Sequence, residues 1–95
     1  MATQALFLLN APFVRQQSVE LAARLAKDSA DETTRIDRLY LVTLNRPAGP
    51  NEIKSAQAFL DLFEKDFQNI DTPREKAWTQ LCHALLGSNA FLFRE

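Results

Sequence analysis

Residues 72–93 read TPREKAWTQLCHALLGSNAFLF, and this stretch decides the fold because it contains the single tryptophan and a dense apolar run. Trp78, Leu81, Cys82, Leu85 and Leu86 recur at intervals of three and four residues, which places them on one stripe of a helix. A stripe of this kind needs other helices to cover it. The sequence therefore predicts a helix that forms the centre of a packed helical domain.

The bounds of this helix are predicted from local signals. Thr72 precedes Pro73 and is followed by Glu75 at the third position, which is the pattern of a capping box with proline in the first turn. Gly87 predicts the end of the helix. Beyond it, Ser88 or Asn89 predicts one more short turn, which carries Phe91, Leu92 and Phe93.

Composition limits the class of protein. The chain has 95 residues, of which 46% are hydrophobic and 24% charged, and its net charge is -1. This favours one globular domain, residues 1–95, and no nucleic-acid partner. The apolar residues 5–9 are too short to span a membrane, and no basic residue precedes them as in a signal peptide. The residues alone give no targeting signal, so we expect a cytoplasmic chain, with its location otherwise unknown.

The remaining segments predict further helices. Residues 2–9 predict a short apolar helix. Asn10 predicts the cap of a second helix that ends near Lys27 and whose inner face is Val14, Ser18, Leu21, Ala22 and Leu25; Ala22, Ala23 and Ala26 are small enough to let another helix approach closely.

Local signals also predict a third and a fourth helix. Asp31 predicts the cap of the third helix, which ends near Asn45 and whose stripe is Ile36, Leu39, Tyr40, Thr43 and Leu44. Pro50 predicts the start of the fourth helix, whose buried side is Ile53, Ala56, Phe59, Leu60, Phe63 and Phe67. We expect the phenylalanines to anchor the core and Asp61 to pair with Lys65 at i, i+4.

These elements predict an all-α fold: an up-and-down bundle of about four main helices with short apolar helical segments at both ends. The connections are short, which makes sequential helices antiparallel neighbours. The apolar segment at residues 2–9 either packs in the core or indicates that the chain is the tail end, a C-terminal fragment, of a larger domain.

Few side chains in the sequence are candidates for catalysis or for binding a metal or an anion. Cys82 and His83 are adjacent, so they point about 100° apart on a helix, and we expect a buried, inert cysteine and a surface histidine.

The acids Asp61, Glu64, Asp66 and Asp71 do not match a calcium-binding loop and predict a solvated helix face. Arg35, Arg38 and Arg46 predict structural salt bridges rather than an anion patch. We therefore expect no catalytic, cofactor or metal residues and no enzyme activity.

Three motifs carry a resemblance to a known family. They are QALFLLNAPFVRQQSVELAARL at 4–25, RIDRLYLVTLNRPAGPNEIKSAQAFL at 35–60 and AWTQLCHALLGSNAFLF at 77–93. Together they resemble, over essentially the whole chain, the C-terminal part of a planctomycete domain of unknown function. The resemblance implies a large exported parent protein that also carries a cytochrome c-like domain, and it implies no catalytic residue in this chain.

Two functions follow as hypotheses. The first is a non-catalytic structural or interaction module that packs on the remainder of its parent protein or associates with itself. The alternative is a groove between helices that binds a peptide, a partner protein or an apolar ligand, with Leu41, Val42, Phe59 or Leu62 lining the groove.

Overall fold

The computed structural model describes residues 11–92, and the side chains of residues 12–87. This part of the chain forms four helices and no strand: α1 (Ala11–Asp28), α2 (Glu32–Leu44), α3 (Pro50–Asp66) and α4 (Pro73–Leu92). The predicted all-α bundle is confirmed. The predicted helix at residues 2–9, the cap at Asn10 and Phe93 lie outside the described residues.

Helix α4 is the centre of the bundle. It packs against all three other helices, and most extensively against α1 and α3. The buried residues of α4 are Ala77, Trp78, Leu81 and Cys82, as its apolar stripe predicts, with Leu85 and Leu86 half-buried. The last helix therefore holds the bundle together, because α1, α2 and α3 contact one another less extensively than they contact α4.

The inner faces of α1 and α2 agree with the predicted stripes. Ser18 and Leu25 are fully buried on α1. Ile36 and Leu39 are completely buried on α2. The buried hydroxyls are satisfied within their own helices, because Ser18 Oγ donates to the Val14 carbonyl at 2.6 Å and Thr43 Oγ1 donates to the Leu39 carbonyl at 2.7 Å. Such local bonds remove the cost of burying a polar group.

The predicted cap of α2 at Asp31 and its predicted end near Asn45 are confirmed. The Asp31 carboxylate accepts hydrogen bonds from the Thr34 hydroxyl at 2.7 Å and from the Thr34 backbone N–H at 2.9 Å, and these bonds lower the pKa of Asp31. At the other end, Asn45 adopts the left-handed conformation with φ 61° and donates its N–H to the Leu41 carbonyl. Asparagine tolerates this conformation better than most residues.

The predicted start of α4 at Pro73 is confirmed, but the predicted cap at Thr72 and the predicted end at Gly87 are wrong. Gly87 does not end the helix, which continues to Leu92, so Phe91 and Leu92 extend α4 instead of forming a separate turn. Thr72 has φ 53°, whereas a capping residue needs extended backbone. Its hydroxyl donates to the Asp71 carbonyl at 2.6 Å, so it does not form the predicted capping box.

The phenylalanines of α3 are less central than predicted. Leu60 and Ala56 are the buried residues of α3, while Phe59, Phe63 and Phe67 are half-buried. Phe59 and Phe63 pack on each other with ring centroids 4.5 Å apart. The core of α3 is thus aliphatic, with the aromatic rings at its margin.

Candidate functional site

Cys82 and His83 do not form a reactive pair. The Cys82 thiol is completely buried, and this burial raises its pKa to about 12. A thiol with so high a pKa carries almost no thiolate near neutral pH. His83 is exposed on the other side of α4, as predicted.

Structural salt bridges are predicted for Arg35, Arg38 and Arg46, but of these three only Arg46 forms one among the described residues. Arg46 binds both oxygens of Glu52 at 2.8 and 2.7 Å, and this fork lowers the pKa of Glu52 to about 2. Glu52 also accepts the Gly49 N–H at 2.8 Å, which fixes the start of α3. Arg38 is exposed. Arg46 thus forms the predicted structural salt bridge.

Two of the clustered acids belong to an ion-pair network that the sequence analysis missed. Arg74 binds Glu32 at 2.7 Å, Asp61 at 2.8 Å and Glu64 at 2.9 Å. These bonds raise the pKa of Arg74. The predicted pair of Asp61 with Lys65 is replaced by this network, because a guanidinium can serve several carboxylates at once.

The apolar residues proposed to line a groove do not border the cleft between α1 and α4. Leu41, Val42 and Leu62 are 47%, 58% and 61% exposed, and Phe59 packs on Phe63. None of the four lines the cleft that the bundle forms.

That cleft lies between α1 and the first half of α4, and its volume is about 350 Å³. The α1 wall consists of Val19 and the small residues Ala22, Ala23 and Ala26, and the α4 side consists of Thr72, Glu75, Lys76, Trp78 and Thr79. Arg35 from α2 completes the lining. A cleft that joins an apolar wall to a few polar groups is the usual form of a binding site.

Arg35 is held rigidly at this cleft. Its Nε donates to the Ser29 carbonyl at 3.0 Å, and its guanidinium carbon lies 5.0 Å from the centre of the Trp78 ring. This stacking is a cation–π contact, which favours a fixed orientation of the guanidinium. Among the described residues, Arg35 makes no ion pair with a carboxylate.

Trp78 is the second polar group with unused hydrogen-bonding capacity here. The residue is 2% exposed, and its indole Nε1 has no hydrogen-bond partner within the described part of the chain. Buried tryptophans usually find a partner for this N–H. Within the described part of the chain, the cleft is therefore bordered by a guanidinium without a carboxylate partner, and this group stacks on an indole whose N–H has no acceptor.

Neither a metal centre nor a membrane span emerges from residues 11–92. No three His, Cys, Asp or Glu residues in this range converge in a way that could hold a metal ion. None of the helices described is both long and apolar enough to cross a membrane.

These features define the class of protein as a small helical domain with a cleft between two of its helices. A family model matches residues 1–60 of the 95, and its description is PSD1, protein of unknown function (DUF1553). The chain belongs to this family. The match ends before the third quoted motif at 77–93, so it is narrower than the expected match over essentially the whole chain.

Comparisons with curated proteins and with solved structures give no related protein. No curated protein matches the chain significantly, and no solved structure does.

Proposed function

We propose that this chain is a non-catalytic helical interaction module and that the cleft between α1 and α4 is its binding surface. The observation that carries the proposal is the wall of Ala22, Ala23 and Ala26, two of which are exposed. Small side chains let a partner backbone come close, which increases the contacts that a short segment can make.

The absence of catalysis is part of the proposal. General acid–base or nucleophilic chemistry needs a titratable group and a second polar group in one cleft. Burial of Cys82 and exposure of His83 leave this pair unsuited to that task. The cleft itself contains cations, one acid and two threonines, a set more suited to binding than to proton transfer.

The partner that we propose is the remainder of a larger parent protein. The resemblance to planctomycete proteins that are exported and carry a cytochrome c-like domain supports this choice. Association of two copies of the chain is the alternative, and the exposed apolar residues Val19 and Phe13, at 51% and 45%, favour neither over the other.

A helical peptide library displayed on phage tests the proposal. The library is panned against the purified chain, and the selected peptides are then measured on two variants, Ala23→Trp and Ala58→Trp. Ala23→Trp fills the cleft, whereas Ala58 is exposed on α3 and does not line it. Circular dichroism verifies that both variants keep the helical fold.

We expect the selected peptides to bind the wild type and Ala58→Trp and to lose at least about tenfold in affinity on Ala23→Trp, since an indole leaves no room for a partner backbone. Failure to select any peptide, or equal binding to Ala23→Trp, would contradict the proposal. A dimer that dissociates on dilution in the wild type and is absent in Ala23→Trp would assign the cleft to self-association.

A further inference from the structure

Arg35 differs from the other arginines whose contacts are described above. Arg46 and Arg74 have their guanidinium groups occupied by carboxylates. Arg35 uses only its Nε, on the Ser29 carbonyl, and stacks on Trp78 at the edge of the cleft. Its two terminal nitrogens have no carboxylate partner among the described residues, which leaves a preorganised fork for one.

The charges around Arg35 favour an anion. The lining of the cleft contains two cations, Arg35 and Lys76, and one acid, Glu75, which gives an excess of one positive charge. Arg35 as a residue is half-buried, and charge-assisted hydrogen bonds are stronger where water is partly excluded. A carboxylate bound at Arg35 would therefore be favoured by both geometry and charge.

The shape of the cleft favours a helix as the carrier of this carboxylate. Val19, Ala22, Ala23 and Ala26 recur at helical spacing, as do Thr72, Glu75, Lys76 and Thr79. Each series covers about two turns, or about 10 Å at the helical rise. Two such walls form a short groove, and a groove between helices typically accepts an amphipathic helix.

We propose that the cleft binds a helical segment of a partner protein by pairing Arg35 with an aspartate or glutamate side chain of that segment. The alanine wall of α1 contacts the small residues that flank this acid. The inference rests on the proposed function, because it names the chemistry of the partner at the same cleft.

The test uses two alanine-based helical peptides with acetylated and amidated ends, identical except for a central Glu or Gln. Free propionate is the third probe. Trp78 is the only tryptophan, so its indole N–H gives a single resonance that reports on the ring beneath Arg35. Titrations monitored by this resonance and by the backbone amides give the affinity of each probe.

Variants of two arginines on α2 provide the matched comparison. Arg35→Gln removes the guanidinium at the cleft, and Arg38→Gln removes the same charge from an exposed position outside the lining. Arg35→Lys keeps the charge and loses the fork. Circular dichroism and the spread of the amide resonances establish that each variant is folded.

We expect the Glu peptide to bind at least about tenfold more tightly than the Gln peptide, since a hydrogen bond to a charged group is worth more than one to a neutral amide. Arg35→Gln should abolish this difference, Arg35→Lys should retain part of it, and Arg38→Gln should leave it unchanged.

Three results would overturn the inference. Equal binding of the Glu and Gln peptides would show that no carboxylate is recognised, and loss of the difference in Arg38→Gln would show a general charge effect. Binding of propionate as tight as that of the Glu peptide would assign the cleft to free organic acids. If peptides selected from the library bind without an acid and are blocked by Ala23→Trp, only the carboxylate inference fails. If the library yields no peptide, the proposed function fails with it.

Discussion

Arg74 at the start of α4 binds Glu32 at the start of α2, with Nη2 2.7 Å from Oε1, although the two residues are 42 positions apart in the sequence. Arg74 Nη1 also binds Asp61 and Glu64 on α3. One guanidinium therefore joins α4 to both α2 and α3. The side chains of Arg74 and Glu32 are 31% and 32% exposed, so solvent screens this network only in part.

Replacing Arg74 with methionine should destabilise the bundle. Arg74→Met keeps most of the side-chain length but leaves three carboxylates without their cation. We expect the free energy of unfolding to fall by about 1–2 kcal/mol, above the value for a single exposed pair. Urea unfolding followed by circular dichroism measures this loss, and Arg38→Met, at an exposed arginine of α2, is the control.

A double-mutant cycle shows whether the loss arises from the Arg74–Glu32 pair. We expect Arg74→Met and Glu32→Gln together to cost less than the sum of the two single changes, by about 0.5 kcal/mol or more. Strict additivity would mean that the two side chains do not interact in solution.

Gly87 provides a prediction whose sign depends on the fold. The residue lies inside α4, its φ is not positive, and a Cβ added there meets no atom within 4 Å. Gly87→Ala should therefore raise the free energy of unfolding by about 0.5–1 kcal/mol, because alanine favours the helix interior. If Gly87 instead ended the helix in a left-handed conformation, the same change would destabilise the protein. Thermal unfolding of the two proteins distinguishes these outcomes.

Leu60 should matter more to stability than its larger neighbour Phe59. Leu60 is 0% exposed, whereas Phe59 is half-buried. We expect Leu60→Ala to cost about 2–5 kcal/mol and Phe59→Ala about 1–2 kcal/mol, since only part of its surface is removed from water. Denaturant unfolding measures both values.

A milder pair of variants keeps this comparison measurable if Leu60→Ala fails to fold. Leu60→Val and Phe59→Leu should retain the same order of cost. A larger cost at Phe59 in either pair would mean that the aromatic margin, and not the aliphatic centre, anchors α3.

The ion pair of Arg46 and Glu52 should make the free energy of unfolding depend on pH in the acidic range. The bonds from Arg46 and from the Gly49 N–H lower the pKa of Glu52 from its ordinary value of 4.5 to about 2 in the folded protein. The unfolded chain therefore takes up the proton first as the pH falls. The contribution of Glu52 to the free energy of unfolding is fully present above the pKa that Glu52 has in the unfolded chain. It is lost as the pH falls through the pKa that Glu52 has in the folded protein.

Urea unfolding of the wild type and Glu52→Gln at several pH values tests this. We expect the wild type to be more stable near pH 7 and the difference between the two proteins to shrink between about pH 4.5 and pH 2. The other carboxyl groups are common to both proteins and cancel in the difference. A difference that is constant with pH would show that Glu52 is not paired in solution.

At several positions the folded chain does not follow its local sequence signals. Thr72, Pro73 and Glu75 have the residue types of a capping box, yet Thr72 adopts φ 53° and its hydroxyl donates to the Asp71 carbonyl instead of capping α4. Similarly, Asp61 has Lys65 at helical spacing but binds Arg74 on another helix. The cleft combines α1, α2 and α4, and only its small alanines were recognisable in advance.

The sequence by itself determined which residues form helices and which face each helix buries, because apolar spacing and the Asp31, Pro50 and Asn45 signals act within a few residues of the chain. The tertiary structure alone decided that Arg74 joins three helices and that Arg35 stacks on Trp78 beside a cleft. Such pairs lie far apart in sequence, and a guanidinium has several carboxylates and rings within its possible reach. Only the packing of α4 against its neighbours selects which of them it meets.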